Sequence, residues 1–247
     1  MGRVVDNAYD ERYRRWYRDA AKDYDDRFQG SFAELQARMI VDLLQPRGGM
    51  RILDVGAGTG RASLPLAQAS DAEIISMDIA PEMLRKAREK RDQAGLQWPA
   101  FVNGNGRALP FPDASFDAVV SIRVLHLFPT PQLGAFVDEM KRVLKPGGTL
   151  LIEFNSPFAG FGWVFVRELS RRRTRGKDRH YLWPQHVSSL FGDMEQVQVH
   201  GFWIPGMGKL ARSNPRLKDV LRFARLRPPF GFVGDKVLIR SKKPTSP

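Results

Sequence analysis

Short apolar runs alternate with longer amphipathic segments along the first two thirds of this 247-residue chain. The apolar runs predict five strands, at 51–55, 73–78, 100–103, 116–121 and 149–154. The segments between them predict three helices, at 61–70, at 81–94 and from Thr130 or Pro131 to Lys145. Strands that alternate with helices of this length indicate a parallel sheet with right-handed crossovers.

The two ends of the chain carry further periodic segments. Residues 7–27 predict a polar helix whose aromatic side chains at 9, 13, 16 and 17 share one face, and a second helix begins at Ser31 and runs to Leu44. Near the other end, residues 195–203 and 235–240 predict two more strands. Residues 215–227 predict a short helix whose basic side chains surround one apolar side.

A glycine-rich turn follows the first predicted strand. Glycines at 56, 58 and 60 leave the backbone bare, so a ligand can approach it and the amide groups at the start of the next helix. Asp78 ends the next apolar run about 20 residues further on, where a carboxylate suits a pair of ribose hydroxyl groups. These features predict an adenosine-containing cofactor.

The spacing of the glycines restricts which cofactor this is. The pattern Gly-x-Gly-x-Gly differs from the Gly-x-Gly-x-x-Gly of dinucleotide-binding turns. Arg61 and Ala62 stand where a Walker phosphate-binding loop has Lys followed by Ser or Thr. Both nucleotide-phosphate interpretations therefore lose support.

Four sequence blocks in the expected order, 53–60, 77–84, 104–117 and 142–150, carry a family resemblance. With them the chain resembles class I S-adenosylmethionine (SAM) dependent methyltransferases, and among these the broad group that includes ubiquinone and menaquinone biosynthesis enzymes. The resemblance implies an α/β fold with a Rossmann-like, doubly wound, mostly parallel seven-stranded sheet, an antiparallel last strand and a C-terminal basic cap insertion. We expect a single domain over 1–247, with a lid helix in 1–30, the SAM-binding core in 31–154, and the substrate cap and last two strands in 155–247.

The resemblance also implies the cofactor, S-adenosyl-L-methionine, and the residues that contact it. The expected cofactor-binding residues are Asp54, Gly56, Ala57, Gly58, Gly60, Asp78, Ile79, Met83, Asn105, Gly106 and Ser121. The glycines give backbone access to the methionine part of SAM, and Asp54 reaches toward its amine. Asp78 binds the ribose hydroxyls, and Ile79 and Met83 enclose the adenine.

Several of these positions have a second interpretation. Asp54 also suits the capping of amides in the turn, and Ile79 and Met83 also suit the core. Asn105 stands where the group usually has an acidic residue that contacts the adenine amino group. Its amide oxygen accepts the same hydrogen bond, and the alternative is a turn former between two glycines. Ser121 borders the methyl donor, although the family typically uses a backbone carbonyl there.

The candidate catalytic residues are His126, His180 and Tyr181. His126 follows the fourth predicted strand, where Arg123 also borders the methyl donor, and an imidazole there is placed to deprotonate a phenol or hydroxyl group. The alternative for His126 is a packing residue between two leucines. An acceptor that is already a phenolate or a free amine needs no base.

Composition excludes several kinds of chemistry. The chain has no Cys, which excludes disulfides and a thiolate nucleophile, and its four His residues lack paired spacing, so we expect no bound metal. Residues 1–18 are charged throughout, which argues against a secretory signal. No apolar run approaches a membrane span, so we expect a cytoplasmic protein that is soluble or peripheral at the membrane.

The net charge of +12 is concentrated at one end of the sequence. Residues 1–166 hold 21 basic and 21 acidic side chains, and residues 167–247 hold 18 and 6. This asymmetry indicates an anionic partner for the last third, or a basic surface that serves solubility alone.

Three hypotheses for the function follow from these observations. The first is methyl transfer to a small acceptor that is lipophilic or lipid-linked, such as a quinone precursor, a prenylated compound or a phospholipid. Segments 158–179 and 215–227 would then face an anionic membrane surface. The second is a nucleic-acid (RNA) methyltransferase whose basic surface contacts phosphates. The third is a non-catalytic SAM-binding protein.

Overall fold

The computed structural model describes residues 7–21, 24–25, 31–128, 130–155, 184–202 and 236–245. Its helices are α1 (Asn7–Ala20), α2 (Ser31–Leu44), α3 (Ser63–Ala69), α4 (Pro81–Gln93), α5 (Thr130–Val143) and α6 (Pro184–Phe191). Its strands are β1 (Arg51–Val55), β2 (Glu73–Asp78), β3 (Ala100–Asn103), β4 (Phe116–Ser121), β5 (Leu144–Asn155), β6 (Glu195–Phe202) and β7 (Lys236–Lys242). One turn of 3-10 helix, Leu125–Leu127, follows β4.

The strands form one seven-stranded sheet in the order β3-β2-β1-β4-β5-β7-β6. Neighbours from β3 to β5 are parallel, and β7 is antiparallel to both β5 and β6. This confirms the expected Rossmann-like sheet with an antiparallel last strand. The segments expected to form the basic cap, 156–183 and 203–235, lie outside the described residues.

Alternate residues of the central strands supply two hydrophobic cores, one on each face of the sheet. In β1, Leu53 and Val55 pack on the face covered by α5 and α6, whereas Ile52 packs on the face covered by α2 and α3. In β2, Ile75 packs on the face covered by α5 and α6, and Ile74 packs on the face covered by α2 and α3. Because both faces are covered, these strands are nearly continuous apolar runs, and this pattern is what located them in the sequence.

The strand order brings three loops together at one edge of the sheet. β1 lies between β2 and β4, with Val55 paired to Met77 and Asp54 paired to Val120. The segments after Val55, Asp78 and Ser121 therefore leave the sheet side by side. The strand order reverses between β1 and β4, and ligands of open α/β sheets bind at such a reversal.

The first helix ends earlier than its sequence pattern predicts. The pattern extends to residue 27, but α1 ends at Ala20, and Tyr24 and Asp25 lie in a turn. The carboxylate of Asp25 accepts a hydrogen bond from the Thr59 hydroxyl (2.7 Å) and pairs with the Lys90 ammonium (2.5 Å). These contacts bring the chain to the glycine-rich turn and away from the helix axis.

The fifth strand begins earlier than its apolar run predicts. The run predicts a start at Thr149, but β5 begins at Leu144, which pairs with Phe116 at the start of β4. Pairing is then interrupted by an irregularity and resumes between Thr149 and Ala118. Gly147 has a φ of 74°, so the intervening Pro-Gly-Gly segment forms a bend within the strand.

A buried side chain of α3 tests the core between this helix and the sheet. Leu66 has no exposed surface and packs in the core on the α2 and α3 face. Replacing it with Ala should lower the free energy of unfolding by about 2–5 kcal/mol, because the change removes apolar burial and leaves a cavity. Urea unfolding measures this loss. Gln68→Ala, at an exposed position of the same helix, is the control and should change stability by less than about 0.5 kcal/mol.

Candidate active site

The glycine-rich turn after β1 is fixed by backbone contacts with β2. The amides of Gly56 and Ala57 both donate to the carbonyl of Met77, at 2.7 Å and 3.0 Å. Gly56 has a φ of 74°, and a Cβ placed on it would lie 2.3 Å from Cγ2 of Val124. Glycine at this position is therefore required both by the backbone conformation and by the close approach of the segment after β4.

Asp78 connects the glycine-rich turn to α4. Its Oδ2 accepts a hydrogen bond from the amide of Gly58 and its Oδ1 accepts one from the amide of Ala80, both at 2.8 Å. Burial raises the pKa of Asp78 from its ordinary 3.8 to about 6, although these amide hydrogen bonds act in the opposite direction. Each carboxylate oxygen keeps a second lone pair, so the group can still accept two hydroxyl hydrogen bonds.

A cleft of about 810 Å³, continuous with solvent, lies over these loops. Its wall includes eight of the eleven residues that the sequence predicts to contact the cofactor. These are Gly56, Ala57, Gly58, Asp78, Ile79, Met83, Asn105 and Gly106.

The segment after β3 gives the cleft a glycine-bounded edge. The amide of Gly104 donates to the carbonyl of Asp78 at 3.1 Å. A Cβ on Gly106 would lie 2.4 Å from the Phe136 ring, so a larger residue would collide with the wall. The side-chain oxygen of Asn105 accepts a hydrogen bond from the Arg107 amide at 3.0 Å. Asn105 thus forms the turn and also lines the cleft.

Three predicted cofactor residues lie behind the wall of the cleft instead of in it. The Ser121 hydroxyl is buried and donates to the carbonyl of Val55 at 2.8 Å, which joins β4 to β1. Gly60 has a φ of 88°, and a Cβ there would lie 2.7 Å from Leu64 and 3.5 Å from Ala87, so it permits close packing at the start of α3. Asp54, the third, is buried.

The carboxylate of Asp54 interacts with the start of α3. Its Oδ2 accepts a hydrogen bond from the Ser63 amide at 3.1 Å. Burial raises the pKa of Asp54 from 3.8 to about 7, against the hydrogen bonds from Ser63. The observed contact corresponds to the capping interpretation of this residue.

Aromatic side chains from the N-terminal segment form another wall of the cleft. Tyr13, Tyr17 and Tyr24 all line it. The Tyr13 hydroxyl donates to the carbonyl of Leu127 at 3.1 Å, and the Tyr13 ring stacks on Phe128 with centroids 6.4 Å apart. Burial, and next the neighbouring Tyr24, raise the pKa of Tyr17 well above its ordinary value of 10.0. Tyr17 therefore stays protonated at neutral pH.

Two arginines, Arg61 and Arg123, also line the cleft. Nη1 of Arg61 donates to Oε1 of Gln36 at 3.1 Å, and the amide nitrogen of Gln36 donates to Glu153. Arg123 has a φ of 63°, and it hydrogen-bonds to Tyr24. Burial raises the pKa of Glu153, while Lys236, Arg123 and Arg61 act to lower it.

The candidate catalytic residues are not brought together by the described structure. His126 lies in the 3-10 helix after β4, half-buried, and is absent from the lining of the cleft, whereas Leu127 and Phe128 beside it line the cleft. His180 and Tyr181 lie outside the described residues, as do the proposed membrane-facing segments 158–179 and 215–227. The described part of the chain contains no helix long and apolar enough to cross a membrane, and no group of three acidic or His side chains placed to hold a metal.

Sequence reasoning missed several residues of the wall. Arg61 directly follows the last glycine of the turn, a position that suggests a site residue. The sequence pattern at Arg61 was used only to exclude a Walker phosphate-binding loop. The sequence pattern places Tyr13 and Tyr17 on one face of the expected lid helix but does not single them out as residues of the site. Phe128 and Phe136 gave no local signal, because their position depends on how α5 packs across the sheet.

Comparison with known sequences agrees with this geometry. Residues 52–148 match the family model described as a methyltransferase domain. A demethylmenaquinone methyltransferase from Thermus thermophilus is 40% identical over 131 residues, which cover 52% of this chain and 58% of that protein. Another, from Renibacterium salmoninarum, is 38% identical over 136 residues and 54% of each chain. An uncharacterized protein from Mycobacterium bovis is 42% identical over 102 residues, 41% of this chain and 36% of that one. The chain therefore matches only about a third to three fifths of the length of these relatives.

Comparison with solved structures identifies the same fold. A protein from Bacillus halodurans assigned to the methyltransferases has a TM-score of 0.59 and 22% identity, covering 85% of this chain and 99% of that one. Magnesium protoporphyrin IX methyltransferase from Synechocystis, with bound SAH, has a TM-score of 0.57 and 17% identity, covering 98% and 90%. The [4+2]-cyclase SpnF has a TM-score of 0.59 and 20% identity, covering 85% of this chain and 80% of that one. At these identities the likeness concerns the fold.

The sheet order and the cleft at its carboxyl edge define a Rossmann-like fold of the methyltransferase type. The match of residues 52–148 to a methyltransferase-domain model agrees with the resemblance to class I SAM-dependent methyltransferases that the four sequence blocks indicated.

Asp54→Asn tests the cost of burying this carboxylate. With a folded-state pKa of about 7 against 3.8, the folded protein binds about one more proton than the unfolded chain between about pH 4.5 and 6.5. The contribution of Asp54 to the free energy of unfolding therefore falls as pH rises, by up to about 1.4 kcal/mol per pH unit. Asn, which does not titrate, should remove this contribution and make the variant relatively more stable at high pH.

Urea unfolding at several pH values measures the effect of Asp54→Asn. Asp71→Asn, at an exposed position, is the control. Parallel stability curves for wild type and Asp54→Asn would contradict the raised pKa. Binding of S-adenosylhomocysteine, measured on the same samples, should change less than about threefold if Asp54 acts through α3, and a larger loss would assign Asp54 to the cofactor amine.

Proposed function

We propose that this chain is a SAM-dependent methyltransferase that acts on a small, lipophilic acceptor. The observation that carries the proposal is the cleft at the carboxyl ends of β1, β2 and β4. Its wall combines the bare glycine turn, the Asp78 carboxylate and Asn105. The methyltransferase-domain match over residues 52–148 supports the same conclusion.

The residues present fit the cofactor. Gly56 and Gly58 leave the wall without side chains at these two positions. A Cβ added to Gly58 would lie 3.6 Å from Cε of Met83. Asp78 keeps acceptor capacity for a pair of hydroxyl groups after its two amide hydrogen bonds. We therefore assign the ribose to Asp78 and the methionine end to the glycine turn.

The adenine end of the cofactor is assigned to the segments after β2 and β3. Ile79 and Met83 give apolar surface on one side, and Asn105 and Gly106 lie at the edge. Met83 is buried and also belongs to a small apolar cluster with Ala21 and Ala80, so it contributes to both packing and the wall. Asp54, Gly60 and Ser121 support the turn and strands from behind.

When bound, SAM supplies a methyl group activated by its sulfonium. The residues of the chain hold the acceptor in line with that group, and such positioning alone contributes about 7–11 kcal/mol to lowering the barrier. The tyrosines of α1 reduce access of water to the cleft. Tyr17, being protonated, can donate a hydrogen bond but cannot act as a base at neutral pH. Transfer without an enzyme base fits an acceptor that is already a phenolate or an amine.

The chemistry of the wall favours an acceptor with an apolar, aromatic body. Phe128 and Phe136 pack beside each other with ring centroids 5.2 Å apart, and Tyr13 stacks on Phe128. The relatives named demethylmenaquinone methyltransferases, at about 40% identity, support a quinone-type acceptor. Contact with an anionic membrane through 158–179 and 215–227 remains a prediction from the sequence.

Transfer of labelled methyl groups tests the activity. Purified protein is incubated with methyl-labelled SAM and a total extract of the source cells that contains lipids, small molecules and nucleic acids, and the products are partitioned between organic and aqueous phases. We expect label in an organic-phase product. Label confined to RNA or DNA would favour the second hypothesis, and SAM binding without any transfer would favour the third.

Replacing Asp78 with Asn tests the ribose assignment. Loss of a charged acceptor of two hydrogen bonds should weaken binding of S-adenosylhomocysteine by about tenfold or more, because charge-assisted hydrogen bonds are worth about 1.5–3 kcal/mol. Wild-type affinity should also fall as pH is lowered through about 6, since the carboxylate is then protonated, and the variant should lack this dependence. Calorimetry gives both results, with Asp71→Asn as control. Unchanged affinity would rule out the ribose role.

A further inference from the structure

We propose that the acceptor carries an anionic group of the carboxylate type, and that Arg61 and Arg123 bind this group in the cleft. The inference rests on the proposed function and specifies its substrate class: an acid with an apolar or aromatic body. Guanidinium groups present planar arrays of donors that match carboxylates, so a pair of them suits such a group.

The two arginines come from different loops and meet at the same cleft. Arg61 follows the glycine turn, and Arg123 follows β4. Burial, and next the charge of Arg123, lower the pKa of Arg61, so the two guanidinium groups lie near each other. Two neighbouring cations repel each other. The buried Glu153 carboxylate offsets part of this repulsion from behind, and an anion bound in the cleft would offset it further.

A buried polar chain holds Arg61 from behind. Its guanidinium donates to Gln36 at 3.1 Å, and Gln36 in turn donates to Glu153. Gln36 and Glu153 are both fully buried. Side chains held in this way lose little freedom on binding, which is how a binding site is preorganised. Gln36 and Glu153 are therefore positioning residues.

Arg123 is held in a backbone conformation that non-glycine residues seldom adopt. Its φ of 63° lies in the left-handed region, and its side chain bonds to Tyr24 in the cleft. Such conformations persist where the surrounding structure imposes them, and they concentrate at functional sites. Here the conformation accompanies the placement of a cation in the wall of the cleft.

The position of this pair separates it from the adenosine end of the site. The ribose is assigned to Asp78 on β2, whereas the buried partner of the arginines, Glu153, lies on β5. Arg61 follows β1 and Arg123 follows β4, which lie one and two strand spacings from β2, about 5 and 10 Å. The acceptor is the source of the anionic group that we assign here. The carboxylate of the cofactor, whose methionine end is assigned to the neighbouring glycine turn, is the other source that the experiment must distinguish.

The labelled product reports the charge of the acceptor. Product made by the wild-type protein from cell extract is partitioned into organic solvent at about pH 2 and at about pH 9. A lipophilic acid enters the organic phase only at the low pH, because its carboxylate is ionised at the high pH. Label that enters the organic phase equally at both pH values would overturn the inference while leaving the proposed function intact. Absence of any label transfer would overturn both.

Variants of the two arginines test whether they bind the anionic group of the acceptor. Arg61→Gln and Arg123→Gln should each lower label incorporation at least tenfold at limiting extract, with recovery toward the wild-type rate as extract is concentrated. This is the behaviour of a raised KM with little change in kcat. Arg123→Lys should recover part of the loss, and Glu153→Gln should show a smaller effect of the same kind. Arg85→Gln, which removes an exposed cation of α4, is the control.

Calorimetry with S-adenosylhomocysteine separates the two sources of the anion and also reports folding. All variants should bind it within about threefold of wild type. A loss of tenfold or more in Arg61→Gln or Arg123→Gln, with a normal thermal unfolding transition, would assign the arginines to the cofactor carboxylate and overturn the inference. Equal label incorporation by Arg123→Gln and wild type at limiting extract would overturn it as well.

Discussion

The cleft depends on one carboxylate that amides from two separate segments share. Asp78 ends β2, and it accepts hydrogen bonds from Gly58 in the turn after β1 and from Ala80 before α4. The two loops are thereby held at a fixed separation by a group that belongs to the sheet. A binding site on a sheet edge gains precision in this way, because the loops take their geometry from the strands. The glycine turn keeps its open form without requiring a ligand to arrange it.

Burial of acidic groups around this edge opposes stability. Asp54, Asp78 and Glu153 are all buried, and desolvation raises the pKa of each. An apolar core at the same positions would avoid this cost, since buried charge is unfavourable even where hydrogen bonds offset part of it. Each of the three carboxylates orients something else: the start of α3, the glycine turn, and the Gln36 side chain that holds Arg61. The arrangement exchanges stability for a defined cleft.

The sequence predicted most of the fold because the strands are buried on both faces. β1, β2, β3 and β4 have the predicted bounds, since doubly buried strands leave apolar runs that end abruptly. The end of α1 was missed because Asp25 contacts Thr59 and Lys90, and such distant contacts leave no periodic signal. In the site, glycines and acids were predictable from spacing. Phe136 and the pairing of Arg61 with Gln36 were not, because they depend on helices that cross the sheet after long separations in sequence.

Several polar contacts attach the N-terminal helix and the turn after it to the loops of the sheet. Tyr13 donates to Leu127, Arg14 donates to Ile79 at 3.1 Å, and Asp25 pairs with Lys90, beside a small apolar cluster around Met83. Water can replace each of these polar contacts, so α1 can separate from the sheet at far lower free energy than the core requires to open. Under the proposed function, that separation would widen the opening through which a bound molecule leaves the cleft. The residence time of the spent cofactor, and with it the turnover rate, would then be set by a helix that takes no part in the chemistry.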